Sequence, residues 1–383
     1  MIQNAWKRSA AVGAVASCAM AGWTQIPDLL SFFEPGGRAM GMGGAIYSNA
    51  ADVSASYWNP AGLAYISDPM AEINFRNRPT TSTVLTGTFI DPDRDGETGF
   101  GSNAFTFGGI AFPVGNGVIG LSYAQGGYAR ELAIGSNLGS GDPGDPTFVE
   151  RQVEFLRVVT EFVTLAWGTS RGNNMNIGVG VVFARQTISD AFFRRTIPGG
   201  TGDPIISESD FTGAATGFGG IVGAQFASEN SNVSFGVSYR SEITLNSVGE
   251  FALYSQKIPA RIQGGVVWRA DGLRGGQDFV IGGVDVAFFP SASSGLILAR
   301  DEQVSAGIGF EYNWAQSFGY LPIRIGFRTT GAATDGFDQR NVFTFGVGYR
   351  PHKEGYVLEL NFASGDGQSR PDVALSASFP IGK

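Results

Sequence analysis

The sequence predicts an all-β fold, a transmembrane β-barrel of about 14 antiparallel strands with an N-terminal hatch, or plug, inside the lumen. Charged residues make up only 16% of the 383 residues, against roughly 25% in typical soluble proteins. After the N-terminus, no apolar run reaches the ~18 residues of a membrane helix, so a membrane-spanning chain must be a barrel. Apolar residues also alternate with small and polar ones along most of the chain, as they do in outer-membrane barrels.

Residues 1–21 have the pattern of a secretory signal peptide. Lys7 and Arg8 precede an apolar run, and Ala19-Met20-Ala21 supplies the small residues of a cleavage site. The mature chain is therefore expected to begin directly after this segment. A second interpretation takes Cys18 as the lipidated first residue of a lipoprotein, and the sequence leaves the two interpretations open.

Residues 22–68 carry no strand pattern and are predicted to form the hatch. The stretch from 34 to 66 is rich in Gly and Ala and has little apolar periodicity. It ends in Asn59-Pro60-Ala61, where the proline disfavours the helical conformation of the residue before it and forces a turn. The predicted hatch and ligand residues are Asn59, Pro60, Ala61, Gly43 and Gly44.

Residues 69–383 are predicted to form the barrel. Between 341 and 350, four apolar side chains alternate with Thr, Gly and Arg, and between 305 and 314 five alternate with Ser, Gly, Glu and Asn. A period of two places these sets on opposite faces of a strand, one towards lipid and one towards the lumen. Each strand is expected to need about ten residues to cross the membrane.

The connections between the predicted strands alternate in length. Short connections are expected near residues 115–117, 172–174, 229–232, 271–276, 317–319 and 351–354. Long connections are expected near residues 90–101, 126–151, 189–210, 247–256, 290–301 and 331–339. Short periplasmic turns and long outer loops produce this alternation in membrane barrels, whereas a soluble β-sandwich gives no reason for it.

The composition disfavours several classes of function. A net charge of −8 and a pI of about 4.8 argue against a nucleic-acid-binding surface, which needs clustered Lys and Arg. With Cys18 as the only cysteine and His352 as the only histidine, the chain cannot build a Cys-based or His-based metal site, and a Ser-His-Asp triad has one badly placed candidate base. We therefore expect no enzyme activity and no cofactor, and a monomeric barrel in contact with outer-membrane lipid.

Three aspartates in a predicted outer loop form a candidate metal site. Asp91, Asp93 and Asp95 precede Gly96, which resembles the start of a calcium-binding loop because carboxylates are hard oxygen ligands. Ser102 stands where such a loop has its final acidic ligand. The alternatives are a Ca²⁺ site and a solvated turn.

Charged residues also fall on the predicted inner faces of the strands. They are Arg240, Glu242, Arg261, Arg269, Glu311, Arg324, Arg328, Arg350 and Glu359. Such charges are expected to pair across the lumen, because burial of a charge requires compensation. Alternatively, the excess of arginine holds an anionic head group such as a fatty-acid carboxylate, with Arg324 and Arg328 on one strand face as the candidates.

In Gly41-Met42-Gly43-Gly44-Ala45, Asp52 and Asn59-Pro60-Ala61, the sequence resembles the FadL-type outer-membrane transporters of long-chain fatty acids and other hydrophobic compounds. The resemblance implies a bacterial outer-membrane location, fourteen strands, a hydrophobic ligand such as a fatty acid, and passive uptake gated by the hatch. A similar N-terminus is typical of the PorV-like relatives, best known from type IX secretion. That resemblance implies the alternative function of a non-transporting barrel that docks a secreted protein through its outer loops.

Overall fold

The computed structural model describes ten stretches of the chain, which are residues 35–87, 92–97, 100–139, 147–198, 203–227, 232–291, 301–332, 339–352, 355–365 and 371–382. The predicted signal segment with Cys18 lies outside these stretches, as do residues 22–34 of the predicted hatch.

The described residues form 17 strands. They are β1 (Met70–Gly87), β2 (Pro92–Glu97), β3 (Phe100–Val114), β4 (Gly117–Gly139), β5 (Thr147–Arg171), β6 (Met175–Pro198), β7 (Ile205–Ala227), β8 (Val233–Arg240), β9 (Ile243–Thr244), β10 (Lys257–Ile258), β11 (Arg261–Gly272), β12 (Asp278–Phe289), β13 (Gln303–Gln316), β14 (Gly319–Thr330), β15 (Arg340–Pro351), β16 (Val357–Gly365) and β17 (Asp372–Pro380).

Fourteen of these strands close into one antiparallel barrel, which confirms the predicted fold class. Each wall strand pairs with the next one along the chain, and β17 returns to β1, where Met70 faces Pro380 and Asn77 faces Val373. The other three strands are accessory: β2 pairs with the end of β1, and β9 pairs with β10.

The two faces of the wall differ as the alternation predicts. On β13, Ile308 and Phe310 point outward and are 42% and 41% exposed, whereas Glu311 and Asn313 point inward and are fully buried. The other short wall strands likewise carry exposed Phe, Leu, Ile and Val on their outer faces. An outer apolar band and a polar, buried inner face are the arrangement of a membrane barrel.

The predicted alternation of short and long connections is confirmed from β8 to β15. β13 and β14 are joined by residues 317–318, whereas β8 and β11 are separated by residues 241–260 and β12 and β13 by residues 290–302. We call the two ends of the barrel the short-turn end and the long-loop end.

Four neighbouring strands are much longer than expected. β4, β5, β6 and β7 contain 23, 25, 24 and 23 residues, so the prediction of loops over 126–151 and 189–210 is wrong for most of these residues. Outside the lipid, neither face of a strand needs to be apolar, so the alternation of apolar and polar residues disappears. The hydrogen bonds between neighbouring strands nevertheless continue. At ~3.3 Å per residue, this wall extends roughly 45 Å along the strands beyond the ~10 residues that cross a membrane.

The ladder of the wall is interrupted between β3 and β4. β3 pairs with β4 only from Phe107 to Val114, and its last partner on β4 is Ala124. On the same side of β4, pairing resumes at Glu131, where the far end of β1 runs parallel to β4. The ladder between β3 and β4 therefore stops partway up the wall.

The segment from 35 to 66 lies inside the barrel. It contains two short helices, α1 (Gly37–Gly41) and α2 (Ala55–Trp58), and a 3₁₀ helix over Pro60–Tyr65. α1 contacts β14 to β17, whereas the 3₁₀ helix contacts β4 to β7 on the opposite side. Nearly all of these residues are buried, so the segment crosses the lumen and fills it near the short-turn end. Within the described stretches, no helix is long and apolar enough to cross a membrane.

A second segment folds into the lumen from the long-loop end. It comprises residues 241–260, which contain β9, β10 and helix α3 (Phe251–Tyr254), and we call it the lid. The lid side chains Ile243, Phe251 and Ile258 are buried. Main-chain hydrogen bonds attach the lid to the edge of β7. The remaining helix, α4 (Leu273–Gly276), forms the turn between β11 and β12.

Candidate functional site

Asn59 fixes the turn of the hatch against the wall. Its side-chain oxygen accepts a hydrogen bond from the Ala61 N–H at 3.2 Å and so caps the 3₁₀ helix that begins at Pro60. Its amide nitrogen donates to the carbonyl of Ser48 at 2.6 Å. The same nitrogen lies 3.2 and 3.1 Å from the carbonyls of two wall residues, Ala224 on β7 and Val237 on β8. The predicted Asn-Pro-Ala motif therefore joins both halves of the hatch to two strands.

Ser48 is the second attachment point, and sequence reasoning missed it. The Asp285 carboxylate on β12 accepts hydrogen bonds from the Ser48 N–H at 2.8 Å and from the Ser48 hydroxyl. From β7, Gln225 donates to the carbonyls of Ser48 at 3.1 Å and Ala50 at 2.9 Å. The sequence signal was Asp285 itself, a carboxylate between Val284 and Val286 on the inner face of β12. With Asn59, these side chains saturate the polar groups of Ser48.

Gly43 and Gly44 form a sharp bend of the hatch against β13 and β14. Their φ angles are 61° and 78°, in the left-handed region that disfavours other residues. A Cβ on Gly43 would also lie 2.8 Å from the main-chain nitrogen of Phe327. The predicted pair of glycines therefore permits both the backbone conformation and the close approach to the wall.

Glycines on the inner wall form the other half of this contact. Added Cβ atoms would overlap hatch main-chain or Asn59 atoms at Gly178, Gly223, Gly236, Gly307, Gly309 and Gly326. These positions run around the barrel from β6 to β14. We call this row the glycine seat, because the missing side chains leave the space in which the hatch rests.

We expect Gly236→Ala to loosen the hatch. Its Cβ would overlap the Ser48 carbonyl, and overpacking typically costs about 1–3 kcal/mol. The temperature at which the folded gel band converts to the unfolded band should fall. Gly264→Ala is the matched control, because a Cβ there would meet no atom closer than 3.6 Å. Equal conversion temperatures of the two variants would contradict the role of the glycine seat.

A buried ion cluster ties helix α1 to the wall. Glu311 accepts from Arg38 of the hatch at 2.9 Å and from Arg324 of β14 at 2.6 Å. Arg324 lies 2.7 Å from a second carboxylate, that of Glu359 on β16. The two positive and two negative charges of this cluster compensate each other, which burial requires.

The two predicted head-group arginines occupy different surroundings. Arg324 is the fully buried centre of the ion cluster. Arg328 donates to the Ser305 hydroxyl at 2.8 Å and to the Tyr47 hydroxyl at 3.2 Å, and its guanidinium lies 5.6 Å from the centre of the Tyr47 ring. Both side chains therefore support the hatch, and head-group binding by either stays a prediction.

The hatch leaves a cavity of about 500 Å³ at the short-turn end, against β1 and β15 to β17. Its lining includes Arg38, Asp52, Glu72, Arg350 and Glu359. Charged groups retain water in preference to apolar ligands. The apolar part of the lumen therefore lies on the other side of the hatch.

That apolar part is a continuous cluster shared by hatch, wall and lid. The Tyr47 and Trp58 rings stack with centroids 3.7 Å apart, and Tyr57 packs against Phe162 of β5 at 5.7 Å. The cluster continues through the buried lid residues Ile243, Leu245, Phe251 and Ile258. Apolar contacts therefore run without interruption from the hatch to the long-loop end.

The candidate calcium residues are placed only in part. Asp91 lies outside the described residues, and Asp93 and Asp95 belong to strand β2. Within the described stretches, no group of three His, Cys, Asp or Glu side chains is placed to hold a metal ion. The outer-loop Ca²⁺ site stays a prediction.

No protein-family model matches the sequence, and no curated protein matches it. Solved structures do match. The crystal structure of a Pseudomonas aeruginosa FadL homologue superposes with a TM-score of 0.62 over 93% of this chain and 100% of that one, at 14% identity. The chain has the fold of the FadL-type channels.

Two toluene transporters share this FadL-type fold. Ralstonia pickettii TbuX matches with a TM-score of 0.57 and 15% identity over 92% of this chain and 100% of its own. Pseudomonas putida TodX matches with a TM-score of 0.57 and 13% identity over 93% and 99%. These neighbours are transporters, which is consistent with the non-enzymatic prediction. The PorV-like relationship stays a prediction.

Proposed function

We propose that the protein is a bacterial outer-membrane channel for the passive uptake of hydrophobic compounds. The observation that carries this proposal is the continuous apolar cluster inside a membrane barrel, which the wall shares with a lid and a hatch that are not part of the wall. The likeness to FadL-type and toluene channels supports it. In this proposal the long-loop end faces the exterior and the short-turn end faces the periplasm, as in other outer-membrane barrels.

The finer proposal is that long-chain fatty acids are among the cargo and that the hatch gates their passage. Cargo enters beneath the lid, rests against Tyr57, Trp58 and Phe162, and leaves when the hatch turn moves. The break in the ladder between β3 and β4 offers an alternative exit through the wall. The glycine seat and the hydrogen bonds of Asn59 fix the closed position of the hatch.

Radiolabelled oleate is expected to bind saturably to the purified barrel. Asn59→Ala should weaken this binding by about tenfold. The variant loses the buried hydrogen bonds that hold the hatch in the position against which the cargo rests, and such a loss costs about 1–3 kcal/mol. Asn116→Ala is the control, since Asn116 lies exposed in a short turn. Absence of saturable binding in both wild type and Asn59→Ala would refute fatty-acid uptake.

One observation favours the alternative role as a docking protein. β7 pairs with β6 over nearly its whole length, but its pairing with β8 ends at Ile221 and Arg240. Among the described residues, no strand pairs with the second edge of β7 from Ile205 to Ala215. An open strand edge is a template for a strand from another protein. A stoichiometric protein partner in native-membrane purifications would support docking, whereas copurified lipid alone would support transport.

A further inference from the structure

Two buried arginines mark the ends of the lid. Arg240 is the last residue of β8 and Arg261 is the first of β11, and they are direct partners across the ladder. Each side chain is 2% exposed and lies on the inner face. The lid leaves the wall at one of them and rejoins it at the other.

The two guanidinium groups lack the direct carboxylate partner that several other inward-facing arginines have. Arg38, Arg76 and Arg324 each lie within 2.9 Å of a carboxylate oxygen. Within the described residues, no carboxylate lies at ion-pair distance from Arg240 or Arg261. The Asp285 carboxylate acts on Arg261 from beyond that distance and is already hydrogen-bonded to Ser48. The two adjacent like charges are therefore only partly compensated, which is unfavourable inside a barrel.

The present hydrogen bonds of the pair leave donors unused. Arg261 donates to the carbonyls of Tyr57 at 2.9 Å and Trp58 at 3.3 Å, both in the hatch. Arg240 donates to the carbonyl of Pro259, in the lid, at 3.3 Å, and its guanidinium also interacts with the Tyr57 side chain of the hatch. The Nε atom of each arginine is buried and has no hydrogen-bond partner. A carboxylate accepts two parallel hydrogen bonds from one guanidinium, so the free donors match an anionic group.

The surroundings of the pair are apolar and aromatic. The Arg261 guanidinium lies 4.7 Å from the centre of the Trp58 ring, and that of Arg240 lies 4.7 Å from the centre of the Phe162 ring. Two lid side chains, Ile243 and Ile258, are fully buried in the same apolar cluster. An anion that reaches this place must therefore belong to a molecule with an apolar body.

We propose that Arg240 and Arg261 bind the anionic group of an amphiphilic cargo molecule, and that the lid occupies the place of its apolar body until cargo arrives. This inference rests on the proposed uptake function and assigns the head group to a different pair from Arg324 and Arg328. The anion supplies the direct countercharge that neither arginine has and competes with the Pro259 carbonyl for Arg240. Loss of that bond frees the lid at the end that rejoins β11.

The test compares two ligands of equal chain length, oleate and oleyl alcohol, on the full-length barrel. Wild type should bind oleate more tightly by at least about tenfold, the factor expected for a hydrogen bond to a charged group. Arg240→Gln and Arg261→Gln should lose this preference, whereas Arg240→Lys should keep part of it. Arg269→Gln is the matched control, because Arg269 lies on the same strand and pairs with Asp271 at a half-exposed position.

Lid movement has its own readout. Lys257 lies in the lid and pairs with Glu242 at 2.8 Å, so oleate should accelerate trypsin cleavage after Lys257 in wild type but not in Arg240→Gln. Equal affinity for oleate and oleyl alcohol in wild type overturns the anion site and leaves uptake of neutral compounds intact. A preserved oleate preference in both Gln variants overturns the site as well. Binding of neither ligand refutes the proposed uptake function itself.

Discussion

Replacement of Glu311 by Gln is expected to release helix α1 and destabilise the barrel. The substitution keeps the size of the side chain but removes the carboxylate that pairs with both Arg38 and Arg324. Arg324 then stays fully buried with Glu359 as its only carboxylate partner among the described residues. Breaking a buried ion pair by removing one partner costs about 3–5 kcal/mol, so the free energy of unfolding in urea should fall by about that amount.

The release of α1 has a second, local readout. Arg38 is the only Lys or Arg between 35 and 66, so trypsin cleavage after Arg38 reports on this part of the hatch alone. Cleavage should be slow in the folded wild type and fast in Glu311→Gln. Glu242→Gln is the control, because its pair with Lys257 is more than one third exposed and such pairs contribute about 0–1 kcal/mol. Equal losses in the two variants would contradict the role of the cluster.

The hatch contacts were predictable from sequence only where they are local. The Asn59 turn follows from the proline after it, and the bend at Gly43 from two adjacent glycines. The partners of Ser48 were not predictable, because Gln225 and Asp285 lie 177 and 237 positions away. Contacts over such distances depend on how the whole barrel closes, which alternation within single strands does not determine.

The charged residues show the same division. Glu311 and Arg324 are direct partners across β13 and β14. This pairing was predictable, because the two residues lie at equal distances in sequence from the short turn at 317–318. The pair between Arg38 and Glu311 spans 273 positions. Because the sequence did not reveal this ion cluster, Arg324 was predicted to be a possible ligand-binding residue. The strand pattern therefore identified the inward charges but not which of them were already neutralised.

The lengths of β4 to β7 were missed for a different reason. Apolar and polar residues alternate along a strand only where one face meets lipid and the other meets the lumen. Beyond the apolar band neither face meets lipid, so the alternation ends there. Glu161 and Arg185 mark that boundary, because they face each other across β5 and β6 just beyond the apolar positions Val163 and Val181. The open edge of β7 that favours docking lies in this unpredicted part of the wall.

A crosslink that holds the lid against the wall is expected to block uptake. The main-chain N–H of Asn246, in the lid, donates to the Thr216 carbonyl on β7 at 2.9 Å, and the Thr216 N–H donates to the Asn246 side-chain oxygen at 2.6 Å. The side-chain oxygens of the two residues lie 3.4 Å apart. The double variant Thr216→Cys and Asn246→Cys should form a disulfide under oxidising conditions, because the side chains are within bridging reach. The lid fills the long-loop end of the lumen, so entry of oleate into liposomes containing the oxidised barrel should fall at least about tenfold. A tenfold fall corresponds to a closed state that the crosslink favours by ~1.4 kcal/mol.

Reduction distinguishes a closed lid from a damaged barrel. Dithiothreitol should restore oleate entry to the wild-type rate, and the single variant Thr216→Cys should transport equally well in both conditions. Because the crosslink lies at the long-loop end, it leaves the hatch contacts of Asn59 and Ser48 untouched. Unchanged entry through the oxidised double variant would mean that cargo does not pass the lid, which would move the entry route to the break in the ladder between β3 and β4. The same experiment therefore tests whether the two segments inside the barrel act in series on one path.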